Sequence, residues 1–125
     1  MIKILELYVD NVEGSDGGDV KEYKNWNDFM IFWMMERIMD DEREIKLEDG
    51  GIVDEDVLMD CDDDEDRLRF IGVVLKEDFE NDIEKMVDNL MGGSDDELYG
   101  YEYDMNRKEI KWNGDEGDRY WNVLS

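Results

Sequence analysis

Seven consecutive apolar residues, Phe29 to Met35, constrain this chain more than any other stretch. They lie within WNDFMIFWMMERIMD, where Asn25 or Asn27 can cap a helix running to about Asp40. The methionine content favours helix over a buried strand. At about 3.6 residues per turn, such a run covers the whole circumference of a helix, so one dry side cannot absorb it. The helix needs a deep core or a second surface to cover it. Trp33 and Met34 are the side chains this reasoning offers to a homodimer or target contact.

The rest of the chain reads as one α+β domain over residues 1–125, with room for a modest core. Residues 2–9 (IKILELYV) are an N-terminal strand and 10–20 a Gly/Asp loop. Residues 44–48 and 51–59 suggest a hairpin across Asp49-Gly50, and 60–66 an acidic loop. RLRFIGVVL, 67–75, reads as a central strand because it turns apolar on both faces. Residues 77–91 predict a helix with Phe79, Ile83, Met86 or Val87, and Leu90 on one face, closed by Gly92-Gly93. The tail is a meander of 97–103, 108–112 and 118–124, turning over Asp104 to Arg107 and over an NGDEG segment. The expected order is β-α-β-β-β-α-β-β-β, an antiparallel sheet with two α-helices.

Charge decides which partners such a domain can have. Thirty-eight Asp and Glu oppose fourteen Lys and Arg, a formal net charge of −24. Solubility needs a magnitude of only ~2–8 in a small domain, and self-repulsion opposes compaction. The excess therefore calls for a reason: a halophile-like surface, cation binding, or a partner rich in Lys and Arg. Apolar residues at 41% and aromatics at 11% exclude a disordered acidic tail. Direct binding to nucleic acid or to an anionic membrane is disfavoured by like charge. The N-terminus is too short and too charged for a signal peptide, and no apolar run approaches a membrane span. Cys61, the single cysteine, excludes an intramolecular disulfide and fits a reducing compartment, so a cytoplasmic location is expected.

Ala, Thr, Pro, Gln and His are all absent. Ala is ordinarily among the commonest residues, so chance does not account for this. Every codon for these residues carries cytosine at its first or second position, and every residue type that does occur has a codon free of it there. The coding strand is therefore expected to be nearly cytosine-free, as strand-asymmetric mutation in a phage or plasmid would produce. Ordinary cytosine frequency at third positions would overturn that inference. The bias enriches Asp and Glu, but it does not set the sign of the charge, because Lys and Arg also have cytosine-free codons.

The missing residues also limit chemistry. Without His there is no Ser-His or Cys-His pair and no imidazole base, and the three serines, 15, 94 and 125, fall in loops or at the terminus. No enzyme and no cofactor is expected. Asp60, Asp62 and Asp64 match the opening spacing of an EF-hand loop, but Glu65 stands where Gly is required and Ile71 where a bidentate Glu is required. The Asn113–Asp118 segment lacks the downstream Glu, and no zinc set exists, so no metal site is expected.

What remains is a set of acidic clusters: Asp54-Glu55-Asp56, then Asp60, Asp62, Asp63, Asp64, Glu65 and Asp66, then Asp95-Asp96-Glu97, with Asp40-Asp41-Glu42 and Asp115-Glu116 beside them. A charge run of this kind is ordinarily a solvated loop. Carboxylates on one face of a strand recur every ~7 Å, however, a phosphate-like separation able to engage Lys and Arg that otherwise grip nucleic acid. The aromatics Trp26, Trp33, Tyr99, Tyr101, Tyr103, Trp112, Tyr120 and Trp121 are read as core. Tyr99, Tyr101 and Tyr103 share one strand face that either packs on the second helix or forms a hot spot. In its size, its charge, its lack of catalytic groups and the runs DCDDDED, DED and SDDE, the chain resembles the small acidic inhibitors with which phages block host nucleases. These are the anti-restriction and anti-CRISPR proteins that mimic DNA. The resemblance implies a partner with a basic, Lys/Arg-rich nucleic-acid-binding surface, a CRISPR effector before a restriction enzyme. The alternatives are an immunity protein against a nuclease toxin, a viral structural or replication accessory, and a Ca²⁺-responsive module.

Overall fold

A computed structural model describes residues 1–10, 16–90, 101–113 and 117–124. The fold is α+β, with a five-stranded antiparallel sheet and, among the described residues, four helices. The chain divides into two compact units: Met1–Trp26 with Ser94–Ser125, and Asn27–Gly93.

The first unit is the sheet. β1 (Ile2–Asp10) pairs on one side with β2 (Asp16–Tyr23) and on the other with β7 (Gly117–Val123), beyond which lie β6 (Glu109–Asn113) and β5 (Tyr101–Asp104). Residues 16–20 of the Gly/Asp stretch expected as a loop are thus strand, and residues 11–15 lie outside the described residues. β2 runs in unbroken register with β1, from Ile2 opposite Tyr23 to Val9 opposite Asp16. Residues 17–22 are exposed on both faces of β2, so this edge strand has no apolar alternation to announce it, and the backbone ladder holds it. Lys21 and Glu22 place charges on the open edge, a common guard against edge-to-edge pairing.

One sheet face collects the apolar residues. Ile4, Ile110 and Trp121 are buried there, and Tyr101, Tyr103 and Trp112 half-buried, brought into line by the pairs Tyr101–Trp112, Tyr103–Ile110 and Ile110–Trp121. The Tyr101 ring lies 6.2 Å from Trp112 and 6.5 Å from Trp121, within the range of favourable aromatic contact. Glu6, opposite Trp121 on this face, accepts from Arg119 Nη2 at 2.7 Å and from Trp121 Nε1 at 3.2 Å. Arg119 in turn lies 4.9 Å over the Trp121 ring. The turn expected over 104–107 forms because the Asp104 carboxylate accepts the N–H groups of Asn106 and Arg107, both at 3.0 Å.

The second unit is mainly helical. α1 (Trp26–Asp40) follows Asn25 directly and ends where Glu42 turns left-handed, letting Asp41 and Arg43 return their N–H groups to the Arg37 carbonyl. The Asp49-Gly50 hairpin forms as expected, with Gly50 at φ 90°, but its strands are only β3 (Ile45–Lys46) and β4 (Ile52–Val53). Residues 55–59, expected as strand, are helix α2 (Glu55–Met59).

The largest departure is 67–75, which is not a central strand but the body of α3 (Asp64–Asp78). Asp63 caps it by accepting the Asp66 N–H at 2.9 Å, and Asp64, Glu65 and Asp66 fill its first turn. The apparent two-sided apolar run then resolves at helical spacing: Ile71, Val74 and Leu75 are buried while Phe70 and Val73 remain exposed. The predicted 77–91 helix is split, because Glu80 and Asn81 are left-handed and Asp82 starts a new helix by accepting the Lys85 N–H at 3.1 Å. That helix, α4 (Ile83–Leu90), buries Ile83, Met86, Val87 and Leu90, close to the expected face. Asn89 clamps it to β3 by donating to the Lys46 carbonyl and accepting the Lys46 N–H, each at 2.8 Å. The Gly92-Gly93 stop lies outside the described residues.

Candidate functional site

The acidic runs of 54–56 and 60–66 turn out to be two successive helix starts. Asp54 caps α2, its carboxylate accepting the Val57 N–H at 3.1 Å, with Glu55 and Asp56 in the first turn. Six residues after Asp54 the chain reaches Asp60 at the end of α2, and Asp63 repeats the capping for α3. Carboxylates at these positions satisfy free backbone N–H groups and complement the positive end of each helix.

Arg67 joins the two helices. Its Nε donates to the Leu58 carbonyl at 2.9 Å, its Nη2 to the Cys61 carbonyl at 3.5 Å, and its Nη1 to Asp64 at 2.6 Å. One guanidinium thus caps the carbonyl end of α2 and pairs with the first turn of α3, using the fork that makes Arg irreplaceable by Lys. Arg69 binds Asp66 at 2.9 Å and Glu65 at 3.5 Å, but this cluster is largely solvent-exposed and contributes little.

The acids therefore sort into two groups. Asp54, Asp63, Asp64, Glu65 and Asp66 hold the local fold or pair with arginine. Asp56, Asp60 and Asp62 are exposed, and their side chains have no hydrogen-bond or ion-pair partner among the described residues. They project unneutralised charge from one short stretch of helix, linker and helix. Asp95, Asp96 and Glu97 lie outside the described residues, as does Tyr99.

Trp33 and Met34 are fully buried within the chain, which removes both from the reach of a dimer partner or target. The apolar run is accommodated by deep burial of Phe29, Met30, Trp33, Met34 and Met35, with Ile31 and Phe32 left half-buried. Arg37 is buried beside them, 5.5 Å over the Trp33 ring and 3.4 Å from Asp41.

Sequence reasoning missed a groove in this unit, lined by Phe32, Met35, Glu36, Met39 and Asp40 of α1 and by Asp64 of α3, with a volume near 290 Å³. The signal for it is the same apolar run, which continues past what one core face can take. On the sheet, Glu102, Asp104, Glu109, Lys111, Tyr120 and Asn122 surround a depression of about 340 Å³ on the face opposite Trp121. Among the described residues, no three Asp, Glu, Cys or His side chains gather as metal ligands would, so Asp60, Asp62 and Asp64 do not converge. Nor is any described helix long and apolar enough to cross a membrane. No protein-family model, curated protein or solved structure matches the chain.

Proposed function

We propose that this protein is a phage- or plasmid-encoded acidic inhibitor that occupies the basic nucleic-acid-binding surface of a host defence complex, a CRISPR effector before a restriction enzyme. It acts by binding and not by catalysis. The observation that supports this reading is the set of unpaired, exposed carboxylates, Asp56, Asp60 and Asp62, held beside two helix starts. Carboxylates needed only for capping would leave no such remainder. Fixed on a short, internally braced stretch of backbone, they meet lysines and arginines without first being ordered, which lowers the entropic cost of association. The net charge of −24 adds long-range attraction to a basic surface and repels nucleic acid itself.

The test is capture from an extract of the native host on immobilised protein, followed by competition. The captured protein is expected to bind nucleic acid, to be displaced by a duplex or guide RNA, and to elute steeply with salt, without Ca²⁺ or Mg²⁺. A captured partner that holds nucleic acid and this chain simultaneously would refute the mimic reading. A partner that is itself a toxin nuclease encoded next to this gene would assign the chain to immunity instead.

A further inference from the structure

We propose that β2 pairs with β2 of a second copy of this chain, antiparallel and centred on Val20, so that two sheets join edge to edge. The inference goes beyond the reading above and does not depend on it.

Among the described residues no strand lies beyond β2, and residues 17–22 are exposed on both of its faces. Every second residue of an antiparallel edge strand turns its N–H and C=O groups outward, as a template for one more strand. Nothing bulky stands in the way. A Cβ added at Gly17 would meet no atom within 4 Å, and Gly18 and Val20 are exposed beside it. The question is which strand can take the place, since Lys21 and Glu22 turn most of them away.

Charge selects both the occupant and the register. A two-fold axis perpendicular to the sheet keeps each face of one copy beside the same face of the other, so only residues of like face stand opposite each other. With Val20 opposite Val20, Asp19 meets Lys21 of the second copy, and Lys21 meets Asp19 of the second copy. Glu22 and Tyr23 meet glycines, Gly18 and Gly17, which leave room for them. Moving the centre to residue 19 sets Asp19 against Asp19, and moving it to residue 21 sets Lys21 against Lys21. Both alternatives are repulsive. Asp19 and Lys21 have no hydrogen-bond or ion-pair partner among the described residues. Asp19 faces Glu6 across the β1–β2 pair, but Glu6 is already held by Arg119 and Trp121, so Asp19 is the carboxylate that lacks a cation. An all-basic strand would satisfy Asp19 and repel Lys21. The edge thus excludes most strands and admits its own copy. The opposing force is the −24 on each copy, which acts at long range and is screened beyond about 8 Å at ~0.15 M salt.

The test is sedimentation equilibrium of the full chain at ~0.15 M salt, where a monomer–dimer equilibrium is expected that does not grow past two copies, because the pairing uses up both edges. Asp19→Lys and Lys21→Asp should each weaken the dimer by about tenfold, since each turns two unlike pairs into like ones. Mixed in equal amounts, the two variants should pair with each other nearly as tightly as the parent does with itself, because every opposed pair is again unlike. The double variant Asp19→Lys, Lys21→Asp should likewise dimerise alone. Lys108→Asp, on the turn between β5 and β6, changes the net charge as Lys21→Asp does and should leave the equilibrium unmoved. A parent still monomeric at about 1 mM would overturn the proposal. So would single variants that dimerise like the parent, a mixture that does not recover, or a Lys108→Asp effect equal to that of Lys21→Asp. Should a variant fail to fold, hydrogen exchange of the parent decides. Amides within 17–23 should gain protection as concentration rises, and protection independent of concentration would refute the pairing.

Discussion

Two glycines show how differently a single residue can matter. Gly117 faces Asp10 across the β1–β7 pair, and a Cβ there would collide with the Val9 carbonyl oxygen and press on the Tyr8 ring. The backbone has nowhere to yield without breaking the ladder, so Gly117→Ala should cost about 1–3 kcal/mol, the usual penalty for overpacking. At Gly50 the space is open, and the difficulty is the φ of 90° alone. Gly50→Ala should cost ~1 kcal/mol, and Gly50→Asn less, because Asn tolerates left-handed backbone. Urea denaturation of the three variants checks the ranking. If Gly117→Ala proved the mildest, the close β1–β7 approach would be wrong. Gly50 is legible from the Asp49-Gly50 turn signal, but Gly117 cannot be told apart from the other glycines by reading neighbours in the chain, since the Val9 carbonyl that constrains it is remote in sequence.

At the scale of elements, the paired helix starts make the sharpest prediction. Asp63→Ala should lose ~0.5–2 kcal/mol of stability, whereas Asp63→Asn should be nearly neutral, because Asn caps as well as Asp. Arg67→Ala should be worse than Arg69→Ala, since Arg67 ties the Leu58 and Cys61 carbonyls to Asp64 while Arg69 gives up only an exposed pair. Thermal unfolding followed by circular dichroism would measure both differences, and equal effects at Arg67 and Arg69 would contradict the capping role. The same stretch shows what was legible in the chain and what was not. α1, α4 and the C-terminal meander follow from apolar spacing and turn residues, because in each the local signal and the final packing agree. RLRFIGVVL was misread because its β-branched residues and unbroken apolar run resemble a buried strand. The deciding signal lay upstream, in an acid at the cap position and arginines placed three and four residues after first-turn carboxylates. The acids of 60–66 were visible as a cluster, but their division into caps and free charges depends on helix boundaries that composition does not reveal.

For the molecule as a whole, charge is the dominant variable. Self-repulsion at −24 should be screened by salt, so the thermal midpoint is expected to rise between low ionic strength and ~0.15 M, where the Debye length is about 8 Å. The triple variant Asp56→Asn, Asp60→Asn, Asp62→Asn removes only carboxylates that have no partner among the described residues, and relief of repulsion offsets the loss of the first-turn acid Asp56 of α2, so it should unfold close to the parent's temperature. If those carboxylates engage a basic target, association should slow while the fold is unharmed. A triple variant that binds its target at the parental rate would reduce the free acids to a solvated surface.

The strand order has a consequence for synthesis. Because β7 stands between β1 and β6, it is the seam that joins the N-terminal hairpin to the C-terminal one. A chain growing on the ribosome would make β1 and β2 first and then wait about a hundred residues for the strand that closes the sheet. Meanwhile Asn27–Gly93 is continuous in sequence and forms one compact unit. Vectorial synthesis thus favours the helical unit maturing early and the sheet late, with the long-range closure setting the pace. A fragment spanning 27–93 should acquire helical circular dichroism alone, whereas a chain stopped before Gly117 should leave β1 protected from hydrogen exchange on its β2 side only.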